Sequence, residues 1–288
     1  MNDPNPSRRY LRLATRGVLL AAIAATPCWA QDAAATAAAP PAAAPPAAAA
    51  MPTAEQTLEG QTVVTPEAQA VLDRMTATLT GLRELEVTGD ITRDEVLSYG
   101  YKIQHNEHAK LQVHKPDGLR SEVTGDIKQR TYVYDGKTLV TYAPDVNAYG
   151  TAEAPATLGE LVDTLLDAGI EMPLIDMLYN GTAGSLTEEV RVGILVGETQ
   201  VDGVATDHLA FRQPDIDWQL WVEKGQRALP RKIVITTRYA VGDPQYTAIL
   251  HWNTSPKFDA KTFTLVPPAG ATKIPYRTKL VAEKGEAK

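Results

Sequence analysis

The chain has 288 residues, with 28 Lys plus Arg against 35 Asp plus Glu, a formal net charge of −7. That acidic balance makes nucleic acid and anionic membrane surfaces poor partners. A single cysteine excludes an intramolecular disulfide.

The N-terminus has the layout of a cleavable secretion signal over residues 1–30. Ser7-Arg8-Arg9 with Arg12 and Arg16 forms a basic start, Val18 to Ala25 an apolar run, and Cys28-Trp29-Ala30 puts a small residue before the cut, so the mature chain begins near Gln31. The run falls short of the roughly 20 apolar residues that span a bilayer, and no later segment of the mature chain is apolar enough to be a transmembrane segment. Ser7-Arg8-Arg9 also hints at the twin-arginine route. Arg12 stands where that motif wants an apolar residue, which favours the general secretory route to the periplasm. Pro27 and Trp29 are poor surroundings for lipid attachment to Cys28. Removing residues 1–30 takes away four arginines and Asp3, a net of +3, and leaves −7 − 3 = −10. It also leaves no cysteine, and so no thiolate zinc site and no thiol nucleophile.

Residues 31–61 are an Ala/Pro-rich linker. Pro40-Pro41 and Pro45-Pro46 break any helix the alanines would build, and there is little to bury, so a poorly ordered, partly extended tether is expected. The folded domain is placed at 62–276, and 277–288 is a polar C-terminal tail. Thr65, Pro66 and Glu67 have the order of an N-cap, first helical position and first turn. Ala68, Val71, Leu72, Met75 and Leu79 follow at helical spacing until Gly81.

From Leu85 to about Tyr149 short runs rich in Val, Thr and Tyr alternate with turns, clearest at Pro116-Asp117-Gly118 and Asp135-Gly136. Thr157 and Glu160 are spaced as a capping box ahead of Leu158, Leu161, Val162, Leu165 and Leu166, with Gly169 as the stop. A further short apolar helix is predicted to start at Pro173 and to end near Asn180-Gly181. Strands return from Val192 to Asn253, broken at Asp202-Gly203, Lys224-Gly225 and Gly242-Asp243. A last run is expected at Phe263–Val266 before Pro267-Pro268. Ile216, Trp218, Leu220 and Val222 alternate with Asp215, Asp217 and Gln219, which gives one oily and one wet face. These patterns predict the α+β class: one largely antiparallel meander sheet with helices on one side. Such a sheet encloses either a solid core or an apolar cavity.

Catalytic machinery is hard to find. His105, His108 and His114 lie close in sequence, but on one strand His108 and His114 would sit roughly 20 Å apart and His105 and His108 would face oppositely. Only a two-residue turn at Asn106-Glu107 would bring His105 beside His108, and no third ligand is indicated. Asp215 and Asp217 read as a solvated strand face. Ser98, Ser121, Ser185 and Ser255 lack a nucleophile-elbow context, and there is no phosphate loop or dinucleotide fingerprint. No cofactor is implied. The residues with ligand-binding character are apolar: Leu161 and Leu165 in the capped helix, the adaptable Met172, Leu174, Met177 and Leu178 after it, Tyr99, Tyr101 and Ile103 along one strand, and Trp218 and Leu220 on the oily face.

Three groups of residues carry a resemblance: Thr131-Tyr132-Val133-Tyr134-Asp135-Gly136-Lys137, the Ala154-Pro155 helix followed by Met172-Pro173-Leu174, and Phe263 through Pro268-Ala269-Gly270. From about Val63 to Ile274 the chain resembles an uncharacterised family of predicted periplasmic proteins in the superfamily of LolA- and LolB-like lipoprotein carriers. The resemblance implies a half-open antiparallel β-barrel, a curved meander sheet whose mouth is plugged by helices forming a lid over an apolar cavity. It also implies a non-enzymatic protein whose partner is a hydrophobic ligand such as a lipid or a lipoprotein's acyl chain, with envelope proteins as further partners. The alternatives are a partner-binding or sensor module with a solid core and, more weakly, a histidine-based metal hydrolase.

Overall fold

The computed structural model describes residues 63–170, 172–175, 189–259, 261–276 and 280. The secretion signal, the linker and nearly all of the C-terminal tail lie outside the described residues, as do Met177 and Leu178.

Helix α1 (Pro66–Gly81) forms as its sequence requires. The Thr65 hydroxyl accepts the Ala68 N–H at 3.3 Å, and Pro66 occupies the first turn, where its missing N–H has no partner to lose. Its buried stripe is Ala68, Val71, Leu72, Met75 and Leu79. The helix runs through Gly81 and is capped by Leu82 in extended conformation.

The chain then builds two meanders. The first is β2 (Glu84–Val96), β3 (Lys102–His114), β4 (Gly118–Gly125), β5 (Gln129–Tyr134), β6 (Thr138–Ala143) and β7 (Ala148–Glu153), paired in that order. The second follows helix α2 (Leu158–Asp167) and comprises β8 (Val192–Val201), β9 (Val204–Arg212), β10 (Ile216–Glu223), β11 (Pro230–Thr237) and β12 (Gln245–Asn253). β12 pairs antiparallel with β2, Leu250 opposite Gly89, and so joins the last strand of one meander to the first of the other. Two short parallel strands flank the result: β1 (Val63–Val64) on β8 and β13 (Thr272–Lys273) on β7. The described residues thus form one curved, open, 13-stranded sheet with two helices, not closed into a barrel.

Alternation places the sheet's faces. β10 reads strictly buried and half-buried in turn, with Ile216, Trp218, Leu220 and Val222 inside. Leu85, Val87 and Ile91 of β2, Ala109, Leu111 and Val113 of β3, and Ala248 and Leu250 of β12 share this inner face and one core cluster with both helices.

At α2 the predicted pair Thr157 and Glu160 forms the N-cap, though the carboxylate meets the Thr157 hydroxyl and not its backbone N–H. Thr157 Oγ1 accepts the Glu160 N–H at 3.4 Å and donates to the Glu160 carboxylate at 3.0 Å, and Gly169 (φ 68°) ends the helix in the left-handed region. Two expected elements differ. Pro173-Leu174-Ile175 is a turn rather than a helix start, because Leu174 has φ 66°, a value no right-handed helix accommodates; the rest of that expected helix, to Asn180-Gly181, lies outside the described residues. Phe263–Val266 is not a strand. Phe263 turns inward to pack edge-on against Phe258 at 5.1 Å, and the closing strand is instead β13.

Candidate functional site

The inner face is the one surface that both helices approach. α2 rests on it through Leu158, Leu161, Val162 and Leu165, all buried. After Gly169 the chain turns back, and Met172, Leu174 and Ile175 are buried in the same cluster. Leu174 meets the sheet closely: its two methyl carbons lie 3.1 Å from where a Cβ on Gly89 would stand, with Leu250 3.5 Å from the same point. A Cβ there would press on the leucine's methyl groups, which would have to give by a few tenths of an ångström.

A left-handed backbone at a branched residue costs about 1–2 kcal/mol. Complete burial of a leucine returns about 1.5–3 kcal/mol. The burial of Leu174, 3 % exposed, therefore offsets its unfavourable backbone, and the Ile175 N–H closes the turn on the Met172 carbonyl at 3.2 Å.

Of the residues singled out in the sequence, the structure brings together Leu161, Leu165, Met172, Leu174, Trp218 and Leu220, all within one buried cluster. Trp218 stacks on Phe211 at 4.0 Å between centroids. Ile103 is half-buried at the start of β3 and stands apart from that cluster. Tyr99 and Tyr101 do not line it at all. They sit on the β2–β3 hairpin, 78 % and 64 % exposed, because the strand they were expected to belong to begins only at Lys102.

The inner face changes character along its length. Beyond Ile91 it becomes charged. The Arg93 guanidinium lies 3.7 Å from the Glu107 carboxylate, and His105 Nε2 lies 2.8 Å from the Glu95 carboxylate. Glu107 is buried, and its Oε2 accepts no hydrogen bond; Ser121 Oγ is the other such buried side-chain atom among the described residues. Sequence reasoning missed Gly89 and Glu107. The only signal for Glu107 was a charge at a position of inward parity, and that reading requires the strand register.

β3 runs unbroken through Asn106-Glu107, so His105 and His108 lie on opposite faces. Each histidine of this strand meets a carboxylate instead: His108 meets Asp90 at 2.8 Å and His114 meets Glu84 at 2.9 Å. Among the described residues no three His, Cys, Asp or Glu side chains cluster as metal ligands. Asp217 holds Arg212 through two 2.8 Å hydrogen bonds. What remains at the site is an oily surface with a charged border, suited to excluding water from an apolar group and offering little directional chemistry.

Solved structures with a similar course of chain include the Mycobacterium tuberculosis lipoprotein LppX, at 14 % identity and TM-score 0.42, covering 67 % of this chain and 99 % of its own. LprF from Mycobacterium bovis matches at 14 % identity and TM-score 0.38, over 72 % and 99 %. The LolA superfamily protein NE2245 from Nitrosomonas europaea matches at 11 % identity and TM-score 0.33, over 69 % and 97 %. No curated protein matches the chain. A family model described as "Predicted periplasmic protein (DUF2092)" matches residues 68–276, most of the sequence, and the chain belongs to that family.

Proposed function

We propose that this chain is a non-enzymatic periplasmic carrier or binding protein for a hydrophobic ligand, a lipid or the acyl chain of a lipoprotein, held between the sheet's inner face and the α2 to Ile175 segment. Export through a signal at residues 1–30 and tethering through 31–61 belong to the same reading. The observation that carries it is Leu174, a strained, buried side chain set over Gly89 on the inner face. Each buried methylene is worth about 0.8 kcal/mol, so about two to four methylenes of an acyl chain match what one leucine contributes there. Displacement of Leu174 also releases the backbone strain. An acyl chain thus competes with the protein's own side chain on nearly equal terms, as reversible loading requires.

Organic extraction and mass spectrometry of the purified protein test this directly, followed by titration with a fatty acid. Co-purified lipid, or stoichiometric uptake of the added fatty acid, is expected. A protein that is empty and refuses every lipid offered overturns the proposal. It would favour a partner-binding module with a solid core, a reading supported by the burial of Leu161, Leu165 and Leu220 among the protein's own side chains.

A further inference from the structure

The hairpins at the two ends of the sheet differ in kind. At one end lie the turns β3–β4, β5–β6, β8–β9 and β10–β11, built from Lys115-Pro116-Asp117, Asp135-Gly136-Lys137, Asp202-Gly203 and Lys224-Gly225. This is ordinary turn chemistry. At the other end β9–β10 also turns on polar residues, Gln213-Pro214-Asp215, but the four hairpins that follow it along the sheet, β11–β12, β2–β3, β4–β5 and β6–β7, each carry exposed apolar side chains: Tyr239 and Val241, Tyr99 and Tyr101, Ile127, and Val146. Six of the eleven large apolar side chains left exposed among the described residues stand on these tips, and none on the opposite turns. Val241 is 80 % exposed. Turn geometry does not call for them. Gly100 and Gly242, both with φ 81°, supply the left-handed positions, and the tyrosines and valine are additional to that need.

We infer that this rim is a docking edge for the surface of a zwitterionic lipid bilayer, an inference that builds on the lipid-carrier reading. Three observations select a bilayer. The apolar groups are spread over four separate tips along an arc rather than gathered in a groove, so they fit a broad, deformable surface. Tyrosine, with an apolar ring and a polar tip, is at home where headgroups meet hydrocarbon. Basic and acidic side chains beside the four tips come close to balance, Lys102, Lys128, Arg130 and Arg238 against Asp94, Glu95, Asp126, Asp145 and Asp243, with Lys102–Asp94 and Arg130–Asp145 paired, so the rim carries little net charge toward a neutral surface. The charged border of the inner face, Arg93, Glu95, His105 and Glu107, opens toward this same end. A lipid leaving the bilayer at the rim would pass its headgroup through charged surroundings while its chains reach the oily depth.

The test is co-sedimentation of the protein, as isolated from exporting cells, with vesicles of phosphatidylcholine, compared with the triple variant Tyr99→Ser/Tyr101→Ser/Val241→Ser. Fatty-acid binding in solution is measured on both. The wild type is expected to partition onto the vesicles with little dependence on salt, and the triple variant to lose at least tenfold in partitioning while binding fatty acid as before. The same N-terminus is present in both, so its own affinity cancels. The double variant Ile127→Ser/Val146→Ser, on two other hairpins, should lose partitioning independently, which guards against a folding defect in the first. A wild type that stays in solution, or variants that partition as it does, overturns the inference. So does binding that needs envelope proteins in the vesicles, which would make the rim a protein-docking edge, or a parallel loss of fatty-acid binding, which would put the tyrosines in the ligand site. Vesicle binding without any fatty-acid binding would leave the docking edge standing and overturn the carrier function alone.

Discussion

Leu174 and Gly89 meet across the sheet's inner face so closely that a Cβ on Gly89 would fall 3.1 Å from each of the leucine's methyl carbons. The leucine contributes burial and costs backbone strain at once, and two substitutions separate these contributions. Leu174→Ala keeps the strained φ and empties the pocket, so it should destabilise by about 3 kcal/mol. Leu174→Gly empties the same pocket but removes the strain, and should be the milder by about 1 kcal/mol. Urea unfolding of both variants checks the order. Alanine milder than glycine would mean that the backbone there is not held under strain. With the pocket vacated, both should take up fatty acid more tightly than the wild type.

α2 presents the Leu161 and Leu165 wall of the site, and Thr157 holds its first turn. Thr157→Ala loses both hydrogen bonds of the Thr157 hydroxyl to Glu160 and should cost about 1 kcal/mol, whereas Thr157→Ser should be nearly neutral. Hydrogen exchange should localise the loss to the amides of α2. A uniform loss of protection over the sheet would mean that the helix does not open on its own.

How much of this was legible in the sequence depends on the range of the interaction involved. The Thr157–Glu160 pair, the Ala68 to Leu79 stripe and the alternation through Trp218 and Leu220 are local patterns, and each forms where its spacing places it. Tyr99 and Tyr101 share inward parity with Ile103, but parity has meaning only inside a strand, and the hairpin at Leu97–Tyr101 ends the strand first. The turn at Leu174 could not be anticipated, because its left-handed backbone is sustained by Gly89, 85 positions away, and by Leu250. The pairing of β12 with β2, which sets Gly89 opposite Leu250, is likewise a long-range fact with no local signature.

Two glycines should respond to alanine in opposite directions. At Gly193 a Cβ would come within 2.7 Å of the Phe211 ring and 3.2 Å of a Val64 methyl, where a small strand end, an aromatic stack and β1 converge. Gly193→Ala should therefore destabilise by about 1–3 kcal/mol through overpacking. At Gly81 nothing lies within 4 Å of the added carbon and the residue is helical, so Gly81→Ala should stabilise by about 0.5–1 kcal/mol. Melting temperatures moving the same way in both variants would contradict this.

Tyr134 supplies a pH signature for the seam between β5 and the start of α2. It is fully buried, its hydroxyl donates to the Pro155 carbonyl at 2.6 Å, and its pKa is pushed from 10.0 up to about 12, first by burial and then by the carboxylates of Asp117, Glu160 and Asp135. Because the folded-state pKa is the raised one, the neutral phenol's contribution is complete below pH 10, where the unfolded chain also keeps its proton. Above pH 10 the unfolded chain releases that proton first, so stability falls as pH rises toward 12. Tyr134→Phe lacks the hydrogen bond and should be less stable than the wild type by about 1 kcal/mol at neutral pH. It also lacks the titration. The gap between the two proteins, followed by denaturant unfolding, should stay constant up to pH 10, then shrink and reverse sign before pH 12. A wild-type advantage that grows with pH would mean that the phenolate, rather than the phenol, is the form this seam prefers.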